Sequence, residues 1–433
     1  MTHRTVREWG REDLGGEGFT RAQADALLAA VRAHPLAGLD GANILTDHHR
    51  YLRAQQMVGV IAAQGCSLEI LPKVDPDAAE ESDGTVRARL VHMLDVALDL
   101  RLSQGERTDM GHAAESLLEV FITAFSNRLL EELRRGAPQH YRSSDADLPT
   151  IRGRWDIARQ FTALAAYPDR LACRFDALDT MTPILQVLNA CVHLLCRHAR
   201  GSNTQRKLAE LRHLLASVPL IARNALPWRQ IRIDRSTQRW RPLVNLARLL
   251  LAERWQQTHA IQGGAEGITL LFPMHELFES YVAHQLRQTL HGTGLVLLVQ
   301  GGGRACLGDW EYGVDTIGRS HPTRPDLVVM RGKEVVAVLD TKWKRLKDVQ
   351  HSDAYQMMAY ARLYRCHTLA LVYPSAAGAG ALRQYGIAGG RERLDLLTLP
   401  IAQGQTAVRS QLRNYLLSIA MAPTSAGIGA GLG

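Results

Sequence analysis

The segment RPDLVVMRGKEVVAVLDTKWK, residues 324–344, constrains this chain more than any other. It holds two strand-like runs, 326–330 and 335–342. Pro325 and Asp326 open the first. Asp340, Thr341 and Lys342 close the second, with an apolar run from Val335 leading into them. Side chains alternate across a strand, so Asp340 and Lys342 point to one face. Two carboxylates at adjacent strand ends can hold a hard divalent cation through oxygen ligands. Such a cation lowers the pKa of a bound water and neutralises charge at a phosphorus. A lysine beside it can position that water or stabilise the developing negative charge.

The pattern is selective within the chain. Pro-Asp occurs at 76–77, 168–169 and 325–326, and only the last precedes an acidic-x-Lys within the next thirty residues. There are six lysines, at 73, 207, 333, 342, 344 and 347, and only Lys342 has a carboxylate two positions before it. Downstream, a helix expected at 352–365 places Asp353, Gln356 and Tyr360 on roughly one face. Upstream, a helix expected at 274–290 carries Glu276 and Glu279, three residues apart. A solvated helix face accounts for the pair as well as a role at the strand ends does.

Composition narrows the partners. Lys plus Arg is 51 and Asp plus Glu is 43, so the formal charge is 51 − 43 = +8, which favours a polyanionic partner. Hydrophobic residues at 46% and charged residues at 22% are ordinary for a globular protein. The six cysteines are scattered and form no C-x-x-C pair, which suggests a reducing compartment. The N-terminus is polar and lacks an apolar signal core, and the uncharged tail from 416 is Ala- and Gly-rich with a proline. A cytoplasmic protein with no membrane span is expected. The one Gly-Lys, at 332–333, is followed by Glu334, so the chain has no phosphate-binding P-loop and no nucleotide site of its own. His48-His49 reads as an exposed loop pair. Cys191 and Cys196, with His193 and His198, read as one buried helical face rather than a zinc site.

The expected organisation is α+β and multidomain. A β-rich N-terminal region spans 1–110, with a hairpin within 57–75 and an acidic loop at 75–84. A mainly helical middle region spans 111–262, with helices at 113–135, 183–199, 204–216 and 241–257 and a small extended stretch at 148–160. An α/β domain spans 263–408. It runs helix 274–290, strands 295–299, 326–330 and 335–342, helix 352–365, then strands 368–373 and 393–399. Residues 409–433 are the end of a helix and a Gly/Ala-rich tail.

The P-D…D-x-K pattern resembles the PD-(D/E)xK nuclease superfamily, and the Gln356/Tyr360 spacing resembles its exonuclease-like branch. Further blocks extend the resemblance over about residues 5–400 to the McrC family. They are VGVIAAQGCSLEILPKVD (58–75), LPTIRGRWDIARQ (148–160), CRFDALDTMTPILQVLNA (173–190), LFESYV (277–282), RPDLVV and LDTKWK. The resemblance implies a PD-(D/E)xK nuclease core at the C-terminus and an N-terminal adaptor. It implies a Mg2+-dependent DNA endonuclease subunit of a modification-dependent (5-methylcytosine) restriction system. In this reading Asp326, Asp340 and Glu279 take the metal, and Asp326, Asp340, Lys342 and Gln356 are catalytic. The implied partners are an McrB-like AAA+ GTPase ring, which would read methylated or hydroxymethylated cytosine in DNA, and a second copy of the chain in the active complex. The setting would be a bacterial cytoplasm. Two alternatives stay open. One is a non-catalytic AAA+ regulator or adaptor, against which the intact D-x-K argues. The other is a free-standing RecB-like repair nuclease, which would not need so large an N-terminal half.

Overall fold

The structure is a computed structural model that describes residues 2–32, 34–37, 41–63, 65–73, 81–101, 116–138, 140–179, 182–251, 268–301, 303–310, 320–346, 348–375 and 380–420. Most of the acidic stretch 75–84 and the tail beyond 420 lie outside these residues. The chain divides into two compact units. One combines Met1–Asp99, Ser103–Ala114 and Ile261–Gly433, and the other combines Leu100–Leu102 and Glu115–Ala260. Among the described residues no helix is long and apolar enough to cross a membrane.

In the first unit the expected hairpin forms between Met57–Ala63 and Cys66–Leu71, both buried along their whole length. Strands covered on both faces read as continuous apolar runs rather than alternating ones. The hairpin is the centre of a four-stranded sheet. Thr2–Arg7 pairs parallel with Cys66–Leu71, and Ile268–Pro273 pairs antiparallel with Met57–Ala63. Gly59 marks where that second pairing is closest. A Cβ there would sit 1.8 Å from the Leu270 carbonyl oxygen, on a backbone with φ of 135°. Only glycine fits such a position. The helix Arg21–Arg32 buries Leu27, Leu28 and Val31 in one core with Ile61, Leu68, Ile70 and Leu271.

The same unit holds a six-stranded sheet. Its order is Val296–Val299, Leu327–Arg331, Glu334–Thr341, Thr368–Ser375, Arg393–Pro400 and Leu382–Gly386. The three strands from Glu334–Thr341 through Thr368–Ser375 to Arg393–Pro400 are parallel, and the other pairs are antiparallel. A parallel step needs a crossover, and the helix His351–Tyr364 supplies the first one. That helix buries Met357, Tyr360, Ala361 and Tyr364 against Val328, Val338, Leu369 and Leu371. The helix Met274–Leu290 packs on the sheet and on the helix Gln405–Ala420.

The second unit contains the helices Leu117–Arg134, Pro183–Leu195, Ser202–Leu214 and Arg241–Leu250. Its N-caps follow sequence. Ser116 Oγ accepts from the Glu119 N–H, and Thr182 Oγ1 accepts from Leu185 N–H ahead of Pro183 in the first turn. The buried Glu119 carboxylate accepts from the backbone N–H groups of Arg200 and Gly201 at 2.9 and 3.0 Å, at the start of the helix Ser202–Leu214. A carboxylate there meets the positive end of the helix dipole.

The middle region is less helical than its sequence suggests. His140–Leu148 pairs with Leu171–Asp179, and Arg154–Trp155 adds a third strand. Within the expected extended stretch 148–160, Ile157–Phe161 begins a short helix. The long strands, HYRSSDADL and LACRFDALD, carry no clean apolar alternation, and their facing residues include a cross-strand ion pair. Asp145 lies opposite Arg174, whose Nε donates to its Oδ1 at 2.9 Å. Such pairs stabilise a sheet without a clean apolar alternation.

A buried ion pair joins the N-terminal sheet to the helix Asp83–Leu98. Arg87 donates to Glu69 through Nε at 2.7 Å and Nη2 at 2.6 Å, and Thr5 Oγ1 donates to the same carboxylate at 3.0 Å. Glu69 is fully buried. Removing one partner leaves the other charge uncompensated. Arg87→Met should therefore cost about 3–5 kcal/mol, and Glu69→Leu/Arg87→Met should recover much of that loss. Thermal melts of the two variants check both expectations.

Candidate active site

The six-stranded sheet ends in a cluster of charge. Leu327 pairs with Leu339, so Asp326 and Asp340, one residue further out on each strand, come to the same end. Asp326 is fixed there. Its Oδ2 accepts from both the backbone N–H and Oγ1 of Thr341, each at 2.7 Å. Asp340 is buried in the strand Glu334–Thr341, beside Leu371 of the next. Lys342 follows directly, held through its backbone N–H to the Val372 carbonyl at 2.8 Å.

Alternation puts Val338, Asp340 and Lys342 on the face covered by the helix His351–Tyr364. Gln356 of that helix meets them. Its Oε1 accepts from Lys342 Nζ at 3.2 Å, and its Nε2 donates to Asp340 Oδ1 at 3.5 Å and to Tyr360 Oη at 2.9 Å. The shared helix face of Asp353, Gln356 and Tyr360 is thus turned toward the strand ends. Asp353 is buried and accepts from Lys344 Nζ at 2.6 Å, and Lys342 Nζ stands 3.6 Å from it.

Glu279 and Glu276 part company. Glu279 is buried on the helix Met274–Leu290, accepts from Gln300 Nε2 at 3.3 Å, and lines the same cleft as Asp326, Asp340, Lys342 and Gln356. Glu276 is exposed in the first turn beside His275. The cleft measures about 720 Å³ and also takes in Glu8, Trp9, Lys73 and Trp343. Sequence reasoning had singled out none of these four, nor Thr341 as the clamp on Asp326, nor Gln300. Thr341 stood inside the D-x-K pattern and was legible there. The others carry no local signal.

The electrostatics are those of crowded carboxylates. Burial, then the neighbouring Asp326 charge, pushes the Asp340 carboxyl up to about 6. Burial, then Asp326, pushes Glu279 up to about 7. Burial pulls the Lys342 ammonium down, but Asp340, Asp353 and Asp326 outweigh it, so its pKa lies above the ordinary value. Asp340 Oδ2 lies 2.6 Å from Lys342 Nζ in charge contact. It is nevertheless buried without a partner in hydrogen-bond geometry.

Among the described residues no three His, Cys, Asp or Glu side chains already converge as a formed metal cage. The donor set still fits Mg2+. That ion usually keeps several waters and needs only one or two protein carboxylates. Asp340 offers a buried carboxylate whose one charge contact is Lys342, and the mutual repulsion of Asp326, Asp340 and Glu279 is what a divalent cation relieves.

Fold and site together define a mixed α/β protein with a carboxylate–lysine–glutamine cluster at the end of a partly parallel sheet. A family model described as McrBC 5-methylcytosine restriction system component matches residues 52–374. The chain belongs to that family. Among solved structures it is similar to the refined half-complex from a tetradecameric assembly of Thermococcus gammatolerans McrB AAA+ hexamers with bound McrC. The TM-score is 0.71 at 19% identity, covering 96% of this chain and 100% of that one. It is also similar to the cryo-EM structure of the Thermococcus gammatolerans McrBC complex. There the TM-score is 0.56 at 19% identity, covering 67% of this chain and 88% of that one. At such identity the likeness establishes a shared fold. No curated protein matches the sequence.

The crowding has a consequence for stability. Glu279 holds its proton more tightly folded, at about 7, than at the ordinary 4.5. Its favourable contribution is complete below pH 4.5 and is lost as pH rises through about 7. Glu279→Gln keeps the shape and cannot ionise. Its melting temperature should exceed that of the wild type at pH 8.5, and the gain should vanish by pH 4. A pair of melting curves across that range measures it.

Proposed function

We propose that this chain is the DNA-cleaving subunit of a modification-dependent restriction system. It hydrolyses phosphodiester bonds with Mg2+ and stimulates an McrB-like AAA+ GTPase ring. One observation carries the reading: Asp326, Asp340, Lys342 and Gln356, from two strands and a helix, meet at one sheet end beside Glu279. That is the donor set of the PD-(D/E)xK nucleases. Membership of the McrBC family supports the restriction setting. The AAA+ hexamers named with bound McrC in the similar structure support the partner.

Asp326 and Asp340 would hold the ion, with Glu279 as the third carboxylate. Bound Mg2+ would supply charge neutralisation at the phosphate and a water of lowered pKa. The chain's own groups do the rest. The Thr341 clamp keeps Asp326 from rotating where it lines the cleft. Gln356 steadies Lys342 and Asp340 at once. Lys342 Nζ then donates to the attacking water or to a non-bridging phosphate oxygen, where negative charge grows as the P–O bond breaks. Side chains held by these hydrogen bonds at strand ends favour in-line positioning. Base recognition and nucleotide hydrolysis belong to the partner ring in this scheme, and two copies of the chain would cut the two strands.

The test is plasmid cleavage with Mg2+, using methylated and unmethylated DNA. The chain is assayed alone and with an McrB-like AAA+ protein, with GTP or ATP. Cutting should require methylation, the partner and nucleotide together. Asp340→Ala should abolish it, and Gln356→Ala should slow it by about 10–100-fold, as for a residue that orients metal ligands. Asp340→Ala cutting as fast as wild type would sink the assignment. Cutting by the chain alone, indifferent to methylation, would point to a repair-type nuclease.

A further inference from the structure

The cleft has a wall that the catalytic cluster does not supply. Glu8, Trp9 and Lys73 stand just beyond strand ends of the N-terminal sheet, yet they line the same 720 Å³ space as Asp326, Asp340 and Lys342. Trp9 lies on the turn between Thr2–Arg7 and Arg11–Asp13. Its backbone has φ of 64°, in the left-handed region. A bulky residue is rare there, and glycine would adopt it without strain. Trp9 is nonetheless 46% exposed, so burial does not account for its place.

The turn is held from both sides. Glu8 N–H donates to the Leu71 carbonyl at 2.9 Å, and Gly10 N–H donates to the Arg7 carbonyl at 2.8 Å. The Gly10 carbonyl accepts from Ala54 N–H at 2.9 Å. The buried Glu8 carboxylate accepts from Lys73 N–H at 2.9 Å and from Trp343 Nε1 at 3.4 Å. Trp343 directly follows Lys342 and packs on Phe278, beside Glu279. The turn is therefore tied by hydrogen bond to the strand end that carries the catalytic lysine. Exposed cations stand on the same cleft: Lys73, Arg324 and Arg345.

We propose that Trp9 is a stacking platform for a nucleobase of the DNA strand in the cleft, with Lys73 taking an adjacent phosphate. The inference rests on the nuclease reading above for the identity of the polymer. A flat exposed indole among cations, next to a phosphate-directed site, suits a splayed single strand. An aromatic face stacks on any base, and basic side chains follow the backbone. The N-terminal sheet then contributes directly to substrate binding.

The experiment is fluorescence anisotropy of a fluorescein-labelled single-stranded oligonucleotide with the full-length chain, in EDTA so that nothing is cut, at several salt concentrations. Trp9→Gly removes the ring and suits the backbone, so it should melt no lower than wild type. Its affinity should fall by about 5- to 100-fold with the salt dependence unchanged, as expected for a lost stacking contact. Trp9→Phe should restore most of the affinity. Lys73→Ala should lower the salt slope by about one phosphate contact. Wild-type affinity in Trp9→Gly would overturn the proposal, as would Trp9→Phe binding no better than Trp9→Gly. Either result leaves the nuclease reading standing if Asp340→Ala still loses cleavage. Conversely, an Asp340→Ala variant that cleaves like wild type, alongside weak binding by Trp9→Gly, would remove the assignment of the catalytic carboxylates and leave the stacking site.

Discussion

The candidate site depends on one strand register. Leu327 faces Leu339 in an antiparallel pair, which brings Asp326 and Asp340 out together at one end of the sheet. The pair is buried along its apolar run, so the register is strongly specified: a slip by one residue would move every side chain to the opposite face. Thr341 then locks the two strand ends to each other through both hydrogen bonds to Asp326. Lys342, Gln356 and Glu279 are arranged around that fixed pair.

Such a site is expensive to hold. Two carboxyls are displaced far above their ordinary values by burial and by their neighbours. One Asp340 oxygen has charge contact but no hydrogen-bond geometry. The surroundings offset this strain with Lys342, with the Lys344–Asp353 pair and with buried apolar packing on the helix side. Perturbed carboxyls gathered in a cleft make it a candidate functional site.

The sheet that supports this end of the molecule is built from distant segments. Ile268–Pro273 runs straight into the helix that carries Glu279, and it pairs with Met57–Ala63 near the start of the chain. The close approach at Gly59 is part of that pairing. It explains how Glu8 and Trp9 come to share a cleft with Asp340. Strand ends that meet across some two hundred residues of sequence leave no periodic trace in either segment.

Much was legible beforehand because its signals are local. The hairpin expected within 57–75, the helix expected at 183–199, which ends at Leu195, the helix at 274–290, and the strand–strand–helix order around Asp326, Asp340 and Gln356 follow from apolar runs, proline and helical spacing. The D-x-K pattern set Asp340 and Lys342 on one face by alternation alone. The sheet of the middle region was not legible, because the two strands that form it, HYRSSDADL and LACRFDALD, have mixed patterns of their own and pair with each other across more than twenty residues. The choice between Glu276 and Glu279 needed the rotation of a packed helix, and the roles of Gln300, Glu8 and Trp9 needed the folded cleft. Sequence determined which chemical groups the chain carries and the local geometry of neighbours within a few residues. Only the tertiary structure decided which distant groups converge, because non-local pairing follows from the burial of whole faces, to which each residue contributes only a part.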